Sequence, residues 1–200
     1  MTRTDISNFL IHFTKGESLE DAFQNLKKIF REQTLIGSGT FIKGNIPCVC
    51  FSEAPLSNLK DGLVNSDYYS KYSPFGILVT KEWLFGLGGR PVIYESDVEY
   101  NFLPDTHKWR HMLYDPCRNP PVDFAWEREW RIKCKCLHFE KNNASIVLPD
   151  KNWANRLINE HESQQEWKLW QYRLIFDEML AQMHYEMDFE RFEWSIVLLS

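Results

Sequence analysis

The stretch Asn8-Phe9-Leu10-Ile11-His12-Phe13-Thr14, followed by a break at Gly16 and a change of rhythm from Leu19 onward, decides how this chain is read. Phe9, Ile11 and Phe13 fall on one side and Leu10, His12 and Thr14 on the other, the period of a β-strand. From 19 to 35 the period becomes helical: Leu19, Ala22, Phe23, Leu26, Ile29 and Phe30 recur at i, i+3, i+4 and i+7. Ser18 and Asp21 form an N-cap pair for this helix, and Gly37 and Gly39 punctuate its end. Pro47-Cys-Val-Cys-Phe-Ser52 returns to a strand, where a proline in first position has no ladder bond to donate.

Outward from this strand-helix-strand core the chain reads mostly as strands. They are expected at 75–80, at 91–95 after the turn at Gly86, Gly88 and Gly89, at 129–136, at 144–148 and at 194–199. Thr80 is placed to cap a short helix through Leu84. A loop rich in Pro, Ser, Asn and Tyr covers 54–74, and 99–126 has no clean period, which in a compact domain marks a functional loop or an unread helix. A helical segment is expected at about 152–190, broken near His161, with Trp167, Trp170, Leu174, Met179, Leu180 and Met183 as its buried side. Strands in succession with one long helix late predict an α+β fold in one domain, 1–200, and not a parallel βαβ sheet.

Composition narrows the function. At 44% hydrophobic and 15% aromatic the chain carries enough apolar material for a core, so disorder is excluded. No run of roughly 20 apolar residues is present, and Met1 to Phe9 lacks the basic-then-apolar pattern of a signal peptide. A cytoplasmic protein with no membrane partner is therefore expected. The net charge of −5 argues against a general DNA coater, leaving at most a local basic groove around Arg128, Arg131, Lys133 and Lys135, with Lys108, Arg110 and Arg118. Five cysteines, an odd number, read as reduced thiols. Cys48/Cys50 and Cys134/Cys136 have C-x-C spacing, not that of a zinc knuckle, so no metal is expected. Gly86-Leu-Gly-Gly-Arg-Pro91 has neither the spacing nor the following helix of a phosphate loop.

Four groups could carry chemistry. Glu129 opens the strand at 129–136 on the face shared with Arg131, where a carboxylate can be aimed at a ligand or simply belong to a surface ion-pair ladder. His12 and Thr14 point the same way from a strand that otherwise looks buried, and want a partner in a ligand or in neighbouring backbone. Arg90, entering a strand, suits a phosphate or an ion pair with Glu95, Glu127 or Glu129. The cysteines are the fourth, with no histidine spacing that argues for a catalytic thiol.

Taken in order, Leu10-Ile-His12-Phe-Thr14, Val49-Cys-Phe51-Ser52-Glu53-Ala-Pro55-Leu56, Phe75-Gly-Ile77 and Glu127-Arg-Glu129-Trp-Arg131 resemble the AbiGi-like abortive phage-resistance family and, through His-x-Thr, the DarT-type ADP-ribosyltransferases. The likeness covers about residues 8–133. It implies a split antiparallel sheet flanked by helices, with NAD as substrate in the cleft. His12 and Thr14 would grip the nicotinamide ribose and carboxamide, beside Phe51 and Ser52. Glu129 would be the catalytic carboxylate on the ribose 2′-OH, with Glu127 its rival, and Arg90 or Lys43 would stand for the family's arginine. The implied function is an NAD-dependent ADP-ribosyltransferase, a bacterial toxin or antiphage effector in a toxin-antitoxin or abortive infection setting, with DNA, RNA or protein as acceptor and a cognate antitoxin or toxin as partner. The alternatives are a non-catalytic antitoxin or phage-sensing module on the same fold, and an NAD glycohydrolase. The basic residues near Glu129 and the tyrosines Tyr68, Tyr69 and Tyr72 favour nucleic acid, because bases stack on aromatic rings beside cations.

Overall fold

The alternating stretch does become a strand, β1 (Phe9–Phe13), and the chain around it builds a mixed α+β architecture. The computed structural model describes residues 7–53 and 72–199. Tyr68 and Tyr69 lie outside the described residues. After β1 come α1 (Leu19–Glu32), β2 (Thr34–Ile36), β3 (Cys48–Ser52), β4 (Gly76–Thr80) and α2 (Lys81–Gly86). The short strands β5 (Arg90–Pro91), β6 (Ile93–Glu95) and β7 (His111–Leu113) follow, then β8 (Glu129–Lys133), β9 (Cys136–His138), β10 (Ala144–Leu148), α3 (Lys151–Ile175), α4 (Glu178–Asp188) and β11 (Ile196–Leu198).

The central sheet runs β11-β10-β4-β1-β3-β8-β5 and is antiparallel except at β10–β11. That one parallel pair is joined through α3 and α4, since parallel neighbours need a long crossover. β2 pairs with β9, and β6 with β7, in two small ribbons. The run at 129–136 is therefore not one strand. β8 ends at Lys133, and Cys136 joins β2 in the separate ribbon.

Period-two alternation assigns the sheet's two faces. On one, Leu10, Val49, Phe51, Ile77, Ile132, Ile146 and Leu148 meet the apolar side of α1 and the first turns of α3. Phe23 of α1 sits between the rings of Phe75 and Trp153, at 5.7 and 4.9 Å. Each such side chain contributes roughly 1.5–3 kcal/mol on burial. The helix starts where its capping chemistry says it should: the Ser18 hydroxyl accepts from the Asp21 amide at 3.1 Å. Thr80 does the same for α2, accepting from the Trp83 amide at 3.2 Å. The other face carries Ile11, Phe13, Leu78 and Val147 toward one end, and Cys48, Cys50, Glu129 and Arg131 toward the other. The irregular stretch 99–126, with 3-10 turns at 99–102 and 108–110 and the start of a third that ends at Glu127, belongs to this second side.

The late helical segment differs from the sequence reading in two ways. α3 runs unbroken past His161, and the break comes at Phe176, which is extended, because Asp177 caps a new helix by accepting from the Leu180 amide at 2.9 Å. Its buried residues are Ala154, Leu157, Gln165 and Ala181, whereas Trp167, Trp170, Leu174, Met179, Leu180 and Met183 are exposed. The helical period was real, but among the described residues nothing covers that stripe. No described helix is long and apolar enough to cross a membrane.

Candidate active site

β1 is held to β4 by five registered pairs, but to β3 by one, Ile11 opposite Ser52. Beyond it a side chain replaces the ladder: His12 Nδ1 lies 2.8 Å from the Cys50 carbonyl oxygen. A carbonyl can only accept, so Nδ1 carries the hydrogen and Nε2 keeps its lone pair in the neutral ring. Burial lowers the His12 pKa; the Cys50 bond opposes that and the Lys15 charge adds to it.

At this seam a cavity of about 700 Å³ opens. Its lining draws on both alternations of the same strands, Ile11 and Phe13 with His12 on β1, Cys50 and Ser52 with Phe51 on β3. The cavity therefore enters the sheet where β1 and β3 part. Glu127, Glu129 and Arg131 line it from the β8 side, and Lys15, Phe41, Lys43 and Asp97 also line it. Its volume lies within the range of ligand pockets, about 300–1,000 Å³.

Both carboxylates are buried. Glu129 is held at both oxygens by Arg131, from Nε at 2.8 Å and Nη2 at 3.3 Å, the planar fork-on-fork match that arginine makes with a carboxylate. Arg131 Nη1 donates to the Trp109 and His111 carbonyls at 3.1 and 2.7 Å, so the same guanidinium ties the 99–126 segment to the sheet. Burial works against its charge, but the bonds to Glu129 outweigh that and raise its pKa. Glu127 ends a 3-10 turn, and Arg128, left-handed at φ 45°, separates it from β8. Tyr72 donates its hydroxyl to Glu127 Oε2 at 2.5 Å, and Ser52 Oγ donates to the Glu127 carbonyl at 2.9 Å. Burial, then the Glu127 bond, raise the Tyr72 pKa. Tyr94, which accepts from the Glu129 amide at 3.2 Å, is pushed up to about 12, chiefly by burial. Burial and the nearby Glu129 charge raise the Cys50 thiol, so it is a poor nucleophile.

Of the residues singled out from sequence, His12, Phe51, Ser52, Glu129 and its rival Glu127 come together around one cavity. Thr14 does not. Its hydroxyl faces the Ala22 and Phe75 carbonyls at 3.1 and 3.2 Å and joins the helix-side packing. Arg90 also stands apart: its guanidinium lies 3.7 Å over the Phe85 ring and donates to the Phe85 and Gly89 carbonyls. Arg131 is not part of an open basic groove, since it is buried. Sequence reasoning missed Tyr72 as the partner of the Glu127 carboxylate and Tyr94 as the partner of the Glu129 backbone amide. It also missed Phe41, Met112 and Phe124 as lining, which no periodic signal marked. All five cysteines are free thiols, and among the described residues no group of three or more His, Cys, Asp or Glu could hold a metal. Comparison with protein-family models, curated proteins and solved structures finds no match to this chain.

Proposed function

We propose that the chain is an NAD⁺-dependent ADP-ribosyltransferase whose reaction centre is the cavity at the β1–β3 seam. The observation that carries this reading is the convergence of a neutral histidine and two buried carboxylates, from segments more than a hundred positions apart, on one cavity. The lining suits the two ends of the dinucleotide. Glu127 and Glu129 answer the cationic nicotinamide-ribose, and Lys15 answers the pyrophosphate, while Lys43 is paired with Asp97 at 2.7 Å. An ADP-ribosyltransferase-like split sheet fits a seam held by a single registered pair.

In this reading the bond from ribose C1′ to the nicotinamide nitrogen breaks, and its electron pair leaves with nicotinamide. A carboxylate fixed beside the ribose stabilises the oxocarbenium-like charge that develops there. The acceptor then adds at C1′ and gives up its proton, to Glu129 or Glu127. Preorganisation is the protein's part: Arg131 and Tyr72 hold the carboxylates in place before substrate arrives. Thr14 and Arg90 take no part.

The test is release of nicotinamide from labelled NAD⁺, with DNA, RNA and protein offered as acceptors. The wild-type chain should consume NAD⁺, and Glu129→Gln or Glu127→Gln should lower the rate by about 10²–10³-fold, the scale of losing one preorganised electrostatic group. Release without any acceptor would identify a glycohydrolase. No loss of NAD⁺ under any condition sinks the enzymatic reading. One observation favours a second reading, a non-catalytic binding module: both oxygens of Glu129 already hold Arg131. NAD⁺ binding without turnover would select it.

A further inference from the structure

We propose that a second cavity, between α1, α3 and the segment 189–194, is a binding site for a small organic anion with an aromatic body. It measures about 570 Å³, a usual size for a ligand pocket, and shares no lining residue with the cavity at the β1–β3 seam. Part of its wall is aromatic: Phe30 is buried and meets the rings of Phe192 and Trp194 edge-on, at 6.5 and 5.9 Å. The segment that closes it is gripped by α3. His161 and Gln165, one helical turn apart, take the two sides of Glu190: His161 Nε2 lies 2.7 Å from the Glu190 carbonyl oxygen, and the Glu190 amide donates to Gln165 Oε1 at 3.2 Å. A backbone N–H can only donate, so that second bond fixes which end of the Gln165 amide is the oxygen. Gln165 Nε2 is then left without a partner, although the side chain is only 4% exposed and lines the cavity. An unpaired donor on a buried side chain is costly, and the cavity is the space that can supply its acceptor.

The charges around the cavity select the sign of the ligand. Arg31 and Arg191 line it and pair with no carboxylate among the described residues; Arg31 spends one nitrogen on Gln164 Oε1 at 3.0 Å. The acids of the lining are mostly taken. Glu160 is held by Lys27 at 2.5 Å and by Arg156 at 2.8 Å, Glu193 by Lys141, and Glu190 faces Lys168 at 3.9 Å. Glu140 is the one lining acid without a cation among the described residues, against two guanidiniums without an acid. The balance favours an anion, and a guanidinium's fork of donors suits a carboxylate or a phosphate. Aromatic walls, a neutral donor and spare guanidiniums together fit a planar body that carries a hydrogen-bond acceptor and an anionic group.

The experiment is a ligand-observed NMR titration of the whole chain with p-acetylbenzoate and p-acetylphenyl phosphate, which share a ring and a carbonyl and differ in the anion, and with acetophenone as the uncharged control. At least one anion should bind with a dissociation constant on the order of 0.1–1 mM, the scale of a ligand of about a dozen heavy atoms, and the tighter of the two names the anionic group. Acetophenone should bind at least about tenfold more weakly. Gln165→Glu keeps the oxygen that receives the Glu190 amide and removes the donor, and should weaken the anions at least about tenfold. Arg31→Ala with Arg191→Ala, both exposed, should weaken the anions by about tenfold and leave acetophenone unchanged. Circular dichroism checks that each variant folds. No binding of either anion at millimolar concentrations overturns the proposal. So does binding that neither folded variant changes, or acetophenone binding as tightly as the anions. The site does not rest on the proposed reaction: NAD⁺ consumption by these variants should match the wild type, and a chain that consumes none leaves this test intact.

Discussion

The two sides of β8 are almost equally removed from water in opposite company: Ile132 is 6% exposed among apolar side chains, and Arg131 is 2% exposed among a carboxylate and two carbonyls. On the helix side, burial is held by non-directional packing that tolerates small changes of shape. On the cavity side each nitrogen of the Arg131 guanidinium and both oxygens of Glu129 have a directed partner, so removing one strands another. The contrast predicts which substitutions are graded and which are abrupt.

The largest effect is expected at the charged side. Arg131→Ala leaves Glu129 buried without its cation and should cost about 3–5 kcal/mol in denaturant unfolding. Changing both partners, Glu129→Leu with Arg131→Met, should recover about half of that, because the unpaired charge is gone while the Trp109 and His111 carbonyls still lack a donor. If the single change costs less than the double one, the two sides are not different in kind. Next comes Thr14→Val, expected to cost about 1–2 kcal/mol for a buried hydroxyl with two carbonyl acceptors. It should leave the KM for NAD⁺ unchanged, and a raised KM would move Thr14 back toward the substrate. On the apolar side, Ile146→Val should cost about 1 kcal/mol, the graded loss of one buried methylene.

A smaller effect belongs to His12. Its pKa is lowered on folding, so the unfolded chain binds the proton more readily. Stability should hold above the ordinary value of 6.5, fall as the pH drops through it, and level off below the depressed folded value. His12→Gln should flatten that slope in pH-dependent unfolding, and an unchanged slope would remove His12 as its source. The smallest effect is expected for Arg156→Ala. Arg156 holds the Glu20 carboxyl down to about 2, yet both groups are well exposed, so a barely measurable change that salt erases is expected.

The sequence was most informative where one physical rule governs. β1, α1, β3 and β4, and the caps at Ser18 and Thr80, follow from period and local hydrogen bonding alone. It was least informative where a rule needs a partner from elsewhere in the chain. Glu129 and Arg131 look like the wet side of a half-exposed strand, and the 99–126 segment, through the Trp109 and His111 carbonyls, helps to bury them. The stripe from Trp167 to Met183 has the period of a buried face, but periodicity says which residues share a side and not whether anything covers it. Of the site, Glu129 and His12 were legible as isolated polar groups on strands and Glu127 as the sequence neighbour of Glu129, though it sits on a 3-10 turn and not on β8. The partners that orient them, Tyr72, Tyr94 and the Cys50 carbonyl, were not, because each is fixed by tertiary geometry and carries no local signature.

Gly76, on β4, has a mechanical consequence. A Cβ there would lie 2.6 Å from the His12 carbonyl oxygen, so the two backbones are pressed together at that point. β1 therefore travels with β4 as one plank, and any breathing that admits a large guest must run along its other margin, beside β3. Amide hydrogen exchange would read this as a gradient, slow along the β1–β4 ladder and faster across the joint with Ser52.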